Sequence, residues 1–327
     1  MSAEGRAVSV DVSILIVTYR CAEEVRECLR SIDDGTSSAV SHEVIVLDNA
    51  SRDGTVEMIA AEFPWVRLLA LDENLGFARG VNRAGEEARG EFVLLLNPDT
   101  VVHPGTIERL VEFARHHPEH GIYGGRTVRP DGTLDPISCR GKPTLWSTFC
   151  FATMLSAAFP RSALFNPELL GRWQRDSVRE VDVVTGCLLL TPRPLWERLG
   201  GLDTRFFMYG EDVDLSLRAA EAGFRPVITP DAVVTHELGA SSETRADKMA
   251  LVFRARVTVI RMHWPRWQRP LGVGLLWLGV GLRALLARVG RLGSPAGAGR
   301  AMWRGVWRER RSWLQGYPAS GPGRATP

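Results

Sequence analysis

The stretch Phe92 to Leu96 reads FVLLL, without one polar position, and it stops at Asn97-Pro98-Asp99. A strand wetted on one side alternates polar and apolar residues, so a run without alternation has to be covered on both faces, as the inner strands of parallel sheets are. Pro98 then ends the pairing, because it has no N–H to donate and biases the residue before it to extended geometry. Asp99 is therefore expected just past the carboxyl end of a core strand, where open α/β sheets bind ligands. Asn-Pro-Asp-Thr is also an ordinary run of turn and cap formers, so the motif takes its meaning from its surroundings.

Those surroundings repeat the pattern. Val12 to Thr18 (VSILIVT), Glu43 to Leu47 (EVIVL) and Val66 to Leu71 read as further strands. Between them, Ala22 to Ile32 sets Val25, Cys28, Leu29 and Ile32 at helical spacing. Asp53-Gly54-Thr55 starts a second helix, and Asn74-Leu75-Gly76-Phe77 opens a third that carries Arg79, Asn82 and Arg83. Such alternation predicts an α/β fold, a mostly parallel central sheet wound with helices on both faces. Three strand ends then offer Thr18-Tyr19, Asp48-Asn49 and Asn97-Pro98-Asp99 along one sheet edge. Polar groups converging there suit a nucleotide, yet neither G-x-G-x-x-G nor G-x-x-x-x-G-K-[ST] occurs. A diphosphate needs positive charge from elsewhere, and a divalent metal held by Asp99 would supply it.

In the second half, Val181 to Leu190 (VDVVTGCLLL) reads as one strand interrupted at Gly186, a position for close approach of backbone or ligand. Pro192 to Leu199 is a short helix. Phe206 to Gly210 then leads into Glu211, Asp212 and Asp214, whose mutual repulsion should raise the pKa of at least one carboxyl, as in the tuning of a general base. Acids also favour the first turn of any helix, so plain capping explains the same cluster without chemistry. Val227 to Thr229 and Val233 to Thr235 read as short strands that deliver His236. His116, His117, Glu119 and His120, interrupted by Pro118, read as a solvated helix end.

Composition matters where it is uneven. The net charge of +2 conceals two objects: residues 245–327 hold 16 of the 40 Lys and Arg but only Asp247 and Glu309 of the 38 acids, a surplus of 14 positive charges. The first 244 residues carry a surplus of 12 negative ones. A basic tail on an acidic body seeks an anionic surface. Six of the ten tryptophans fall in this tail, around Leu271 to Leu282, a run of 12 residues free of charge. That run is short of the roughly 20 apolar residues that span a bilayer, so the tail is expected to lie on an anionic membrane surface. Packing on the body or on a second subunit, as in a homodimer, is the alternative. Nucleic acid is not expected as a partner. Five scattered cysteines without a C-x-x-C pair point to reduced thiols and a cytoplasmic body. The apolar run at Ile14 to Val17 is too short for a signal peptide.

The stretches SILIVTYR, VIVLDNASRDGT, ENLGFARGVNRA, LLLNPDT, GCLLLTPRPLWERLGGLDTRFFMYGEDVDLSLRAAEAGF and VVTH resemble family 2 glycosyltransferases of the GT-A fold, and most of all their rhamnosyltransferase-like branch. The likeness runs from about Val12 to Ser241. It implies a catalytic domain over 1–241, with a nucleotide-binding half at 12–102 and an acceptor half at 103–241, followed by the tail at 242–327 with a disordered end. By the resemblance, Thr18, Tyr19 and Asp48 surround the nucleobase and ribose, Arg79 and Asn82 lie on the nucleotide side, and Asn97 is near the ribose. Asp99 stands as the metal-binding acid of the D-x-D motif, His236 as a further ligand to Mg²⁺ or Mn²⁺, and Asp212 as the catalytic base with Glu211 beside it. Two departures stand out: Arg20 follows Thr18-Tyr19 where the family often has Asn, and Asn97-Pro98-Asp99 lacks the first carboxylate.

The activity implied is inverting, metal-dependent transfer of a sugar, L-rhamnose from dTDP-L-rhamnose, from a nucleotide-diphosphate donor to a glycan or lipid-linked acceptor. The enzyme would sit on the cytoplasmic face of the plasma membrane and serve cell-envelope polysaccharide synthesis. Acceptor contacts fall to 126–179 and the tail, where no pattern is decodable. Two other readings stay open: a nucleotidyltransferase that forms nucleotide sugars, and a catalytically silent membrane-associated binding module.

Overall fold

The computed structural model describes residues 10–36, 39–236, 245–289 and 298–319. The position 241, where the likeness ends, and residues 320–327, on which the expected disordered end falls, lie outside them.

The first half alternates strand and helix. It runs β1 (Val12–Thr18), α1 (Ala22–Gly35), β2 (His42–Asp48), α2 (Thr55–Glu62), β3 (Arg67–Ala70), α3 (Phe77–Gly85) and β4 (Phe92–Leu96). A short β5 (Thr100–Val102) and α4 (Thr106–His116) follow. The middle is less regular: β6 (Tyr123–Val128), β7 (Cys139–Arg140), α5 (Leu145–Ala152), α6 (Leu155–Ala158), β8 (Arg179–Glu180), β9 (Val183–Val184), β10 (Leu188–Pro192), α7 (Arg193–Leu199), α8 (Glu211–Glu221) and β11 (Val227–His236). The tail is helical, with α9 (Arg245–His263), α10 (Gln268–Arg288), α11 (Ala298–Arg308) and α12 (Arg310–Trp313).

The main sheet is ordered β3-β2-β1-β4-β10-β6-β11-β5, with β8 pairing on β11. β1, β2, β3 and β4 are parallel neighbours, while β10 runs antiparallel between β4 and β6. All seven residues of β1 are buried, and so are all five of β4. The reason is that both faces are covered. Ile14, Ile16, Leu94 and Leu96 pack with Val25, Leu29 and Ile32 of α1 on one face. Leu15, Val17, Val93 and Leu95 pack on the other with Ala78 and Val81 of α3, Val213 of α8 and Ala255 of α9. A strand between two helical layers has no position that favours a polar side chain, which is why these segments show no alternation.

Two local expectations change. Val181 to Leu190 is not one strand: β9 joins β7 in a separate two-stranded sheet, and only β10 enters the main sheet. Gly186 between them has no close neighbour, since an added Cβ would meet only the Phe77 ring at 3.7 Å. The two short strands expected around 227–235 are one, β11, whose register against β6 shifts between Ile228 and Val233.

The basic tail packs on the body and supplies part of its core. Ala255 and Val259 of α9, with Tyr317, belong to the apolar cluster under the sheet. His263 Nε2 lies 2.8 Å from Asp214 Oδ1 in α8, Arg256 pairs with Glu168, and the Trp264 indole donates to the Pro143 carbonyl at 3.1 Å. The packing alternative thus holds for α9. The change near residue 242 is one of charge rather than of contact. All five cysteines are free and buried.

Candidate active site

Parallel strands end at one edge, and two of those ends are laced to each other and to the loop that opens α3. The Asn49 N–H donates to the Thr18 carbonyl at 2.9 Å, joining the ends of β1 and β2. The Asn49 amide donates to Gly76 O at 3.1 Å and accepts from the Leu75 N–H at 2.9 Å, fixing the loop that opens α3. Asp48 is buried; one carboxylate oxygen accepts from the Ser51 N–H at 3.0 Å and the other has no partner. An orphaned buried acceptor invites a donor from a ligand, and the imide N–H of a pyrimidine base has the right chemistry. Thr18 is buried against Cys21 at 3.1 Å, and Tyr19 beside it is half-buried under the Arg20 guanidinium. Arg20 itself adopts φ +53°, and its N–H donates to Ser51 Oγ at 2.9 Å.

Of the two residues expected on α3, one suits a nucleotide and the other has a different task. Arg79 is half-buried with no hydrogen-bond or ion-pair partner among the described residues. Asn82 spends both amide atoms on the Leu202 backbone, donating to its carbonyl at 2.8 Å and accepting from its N–H at 2.9 Å. It clamps α3 to the turn before the acidic helix, which is a positioning role.

At the end of β4, the Asn97 carbonyl accepts from Thr100 Oγ1 at 2.6 Å, closing the turn that presents Asp99. Pairing of β11 with β5 sets His236 opposite Thr100, which brings His236 Nε2 to 3.2 Å from Asp99 Oδ1. The other ring nitrogen is 3.4 Å from Oδ2 of Asp135, a buried acid. Burial works against a charged ring, but hydrogen bonds to Asp135 and Asp99 outweigh it and push His236 up to about 10. A carboxylate behind an imidazole whose other nitrogen faces an acid is the usual outer-shell support of a metal-binding histidine. Asp135 was invisible to sequence reasoning, because 101 residues separate it from His236.

The three acids that open α8 are sorted by burial. Asp214 is fully buried and engaged by Arg218 at 2.7 Å and by His263. Glu211 is 7% exposed and one of its oxygens is unpartnered. Burial first, then the neighbouring Asp212 charge, push it up to about 8. Asp212 keeps a 14% exposed side chain, with Oδ1 3.5 Å from Arg140 Nη2 of β7. It is therefore the acid open to a substrate, held in place by a residue that spacing did not reveal. Asp135 and Arg140 bound one short segment of five steps, so it links the His236 and Asp212 groups within about 17 Å of chain.

The loop before α8 is gripped from three sides. The Phe207 carbonyl accepts from the Phe77 N–H at 2.7 Å, and Gly76 sits so close that a Cβ would meet that oxygen at 2.5 Å. An added Cβ at Gly210 would meet Ala255 of α9 at 2.9 Å. The Tyr317 hydroxyl donates to the Met208 carbonyl at 2.7 Å and accepts from its N–H at 3.3 Å. Tyr209 is held at φ +68° between these anchors; strain of this kind persists only where the surroundings enforce it. By contrast His117, Glu119 and His120, at the opposite end of the sheet, bring their ligand atoms within 4.8 Å of one another, with Glu119 exposed and the two imidazoles partly buried.

Profiles of two groups match the chain: Glycosyl transferase family 2 over residues 13–163, and Glycosyl transferase family group 2 over residues 92–317. The chain is a family 2 glycosyltransferase. An N-acetylglucosaminyl-diphospho-decaprenol L-rhamnosyltransferase of Mycobacterium tuberculosis is 34% identical to the transferase over 272 residues, which cover 79% of this chain and 87% of that one. The O-antigen biosynthesis protein RfbC of Myxococcus xanthus is 31% identical over 209 residues, covering 62% of this chain and 15% of that one. Among solved structures, the mannosyltransferase PcManGT from Pyrobaculum calidifontis, in complex with GDP-Man and Mn²⁺, has a TM-score of 0.54 at 21% identity, covering 93% of this transferase and 84% of that chain. The fold is thus the GT-A glycosyltransferase fold, and the nucleotidyltransferase reading is set aside.

Proposed function

We propose that the transferase moves L-rhamnose from dTDP-L-rhamnose to a hydroxyl of a lipid-linked glycan acceptor, with inversion at the anomeric carbon, on the cytoplasmic face of an anionic membrane. The observation that carries this reading is the sorting of the three acids: Asp212 alone combines access with a fixed orientation. An acceptor hydroxyl is a poor nucleophile at neutral pH, and a carboxylate within hydrogen-bond reach accepts its proton as the new bond forms. A base on the side opposite the leaving group gives a single displacement and inversion. The sugar and the acceptor follow from the mycobacterial relative, whose name specifies both an L-rhamnosyl group and a decaprenol-linked acceptor.

Asp99 and His236 fit a divalent cation, since an oxygen and a nitrogen donor lie 3.2 Å apart with Asp135 behind the ring. Mg²⁺ or Mn²⁺ held there would neutralise charge on the departing diphosphate. The protein's own residues do the rest: Asp48 offers its free oxygen to the base, Arg79 offers an unpaired guanidinium to the phosphates, and Tyr19 and Asn97 border the ribose.

The test pairs a panel of nucleotide sugars with Asp212→Asn. The variant should bind the donor as the parent does and lose transfer by a factor of about 100 to 10,000. Chelation should abolish transfer by the parent, and Mg²⁺ or Mn²⁺ should restore it. Equal turnover of variant and parent would remove Asp212 as the base, and full activity in chelator would give Asp99 another role.

A further inference from the structure

Among the described residues, one face of α10 has no partner. Its inner face is tied to the protein: the Trp264 ring packs against Gly272, Phe151 and Ala152 pack against Gly279, and buried Arg283 donates to the Phe151 carbonyl at 2.8 Å. The outer face carries Trp267, Leu271, Leu278, Leu285 and Val289, each 49 to 66% exposed. Successive members are four or seven residues apart, so they form one continuous stripe. On one flank α5 exposes Trp146 and Phe149, stacked 5.6 Å apart. On the other is a cavity of about 440 Å³ lined by Arg261, Arg269, Val273, Trp277 and Leu314. Arg261 is held there by the Leu314 and Gln315 carbonyls. Among the described residues Arg269 spends only its Nε on protein, donating to Trp264 O at 2.9 Å, and keeps its terminal nitrogens for another acceptor.

We infer that this stripe lies in the headgroup layer of an anionic membrane, with α10 parallel to the surface, and that the Arg261–Arg269 cavity seats a lipid phosphate. Charge selects the occupant: the tail's surplus of 14 positive charges is complementary to an anionic leaflet and repels a second copy of itself. Tryptophan beside arginine favours the boundary between acyl chains and water. At 21 residues α10 is long and apolar enough to cross a bilayer, more so than its uncharged run suggested, but 39% of its most apolar window is buried in the protein. A helix with one face on protein and the other apolar satisfies both by lying flat. The placement deepens the proposed function and rests on its lipid-linked acceptor. Trp146 and Phe149 of α5 are six and nine residues from Arg140, so these exposed rings stand within roughly 20 to 23 Å of chain from the residue that holds Asp212.

The experiment is flotation of the full chain with phosphatidylcholine vesicles, with and without phosphatidylglycerol, beside transfer to a water-soluble acceptor analogue. The parent should float only with anionic vesicles. Leu271→Glu with Leu278→Glu should abolish flotation, and Arg269→Ser should weaken it about fivefold. Both variants change exposed or half-buried side chains, and both should keep the parent's melting temperature and its turnover of the soluble analogue. Unchanged flotation of the double variant overturns the inference. So does a parent dimer in solution that the double variant splits without any vesicle binding, which would make the stripe an interface between copies. Stabilisation by inorganic phosphate through Arg269, without flotation, would make the cavity a soluble-anion site and also overturns it. If no donor is ever transferred, the proposed function fails while flotation still reads the docking face.

Discussion

Three carboxyl groups within four residues have three fates, and solvent access decides which. Asp214 is consumed by Arg218 and His263, Asp212 looks outward past Arg140, and Glu211 is buried between them. Burial, with the neighbouring Asp212 charge behind it, raises one pKa of the cluster, and the group raised is Glu211 rather than the more accessible Asp212. With a folded pKa of about 8 against an ordinary 4.5, Glu211 keeps its proton through neutrality. The resulting stability is fully present below the ordinary value and is lost as pH rises through about 8. Glu211→Gln, which imitates the protonated form, should match the parent in chemical denaturation near about pH 4 and exceed it near about pH 9; equal stability at both would show that Glu211 is not a buried acid. The acids, the strand-end residues and His236 were legible as candidates because each ends or begins a regular element. Asp135 and Arg140 were not, since their partners lie far away in sequence and only the sheet brings them close. Asn82 was legible as a polar residue on the right helix, but its amide serves the Leu202 backbone.

Elements were legible where both faces of a strand are covered, because burial leaves a continuous apolar run in β1, β2 and β4. They were less legible where strands are short and share two sheets: Val181 to Leu190 looks like one run, yet its halves pair with different partners. The helix pair α8 and α9 joins the acidic centre to the basic tail through His263 and Asp214. Burial depresses His263, but the Asp214 hydrogen bond and charge outweigh it and raise the imidazole above its ordinary 6.5. This contact therefore stabilises most below that value and is lost as pH climbs past the raised one. Asp214→Asn should cost about 3 kcal/mol, because it leaves Arg218 without its buried counter-charge. It should also flatten the alkaline decline in thermal stability, and a variant as stable as the parent at every pH would show that the His263–Asp214 contact does not hold α9 in place.

For the whole molecule, composition pointed to a body and a tail, and the fold makes one object of them. Tyr317 shows how: its hydroxyl both donates to and accepts from Met208, 109 residues earlier, in the loop that leads into the acids. Tyr317→Phe removes the bond and leaves a carbonyl and an N–H unpaired, at a cost of about 1 to 3 kcal/mol. Turnover should fall while donor affinity holds, because the loop and not the nucleotide edge loses its anchor; an unchanged kcat would show that Ala255 and Phe77 suffice to set the loop. The same clasp bears on the order in which the protein comes into being. Chains leave the ribosome amino end first, and Met208 has to wait for one of the last described residues, Tyr317, before its loop is anchored. The body's own core is therefore closed only when the arginine- and tryptophan-rich helices have emerged and folded back on it.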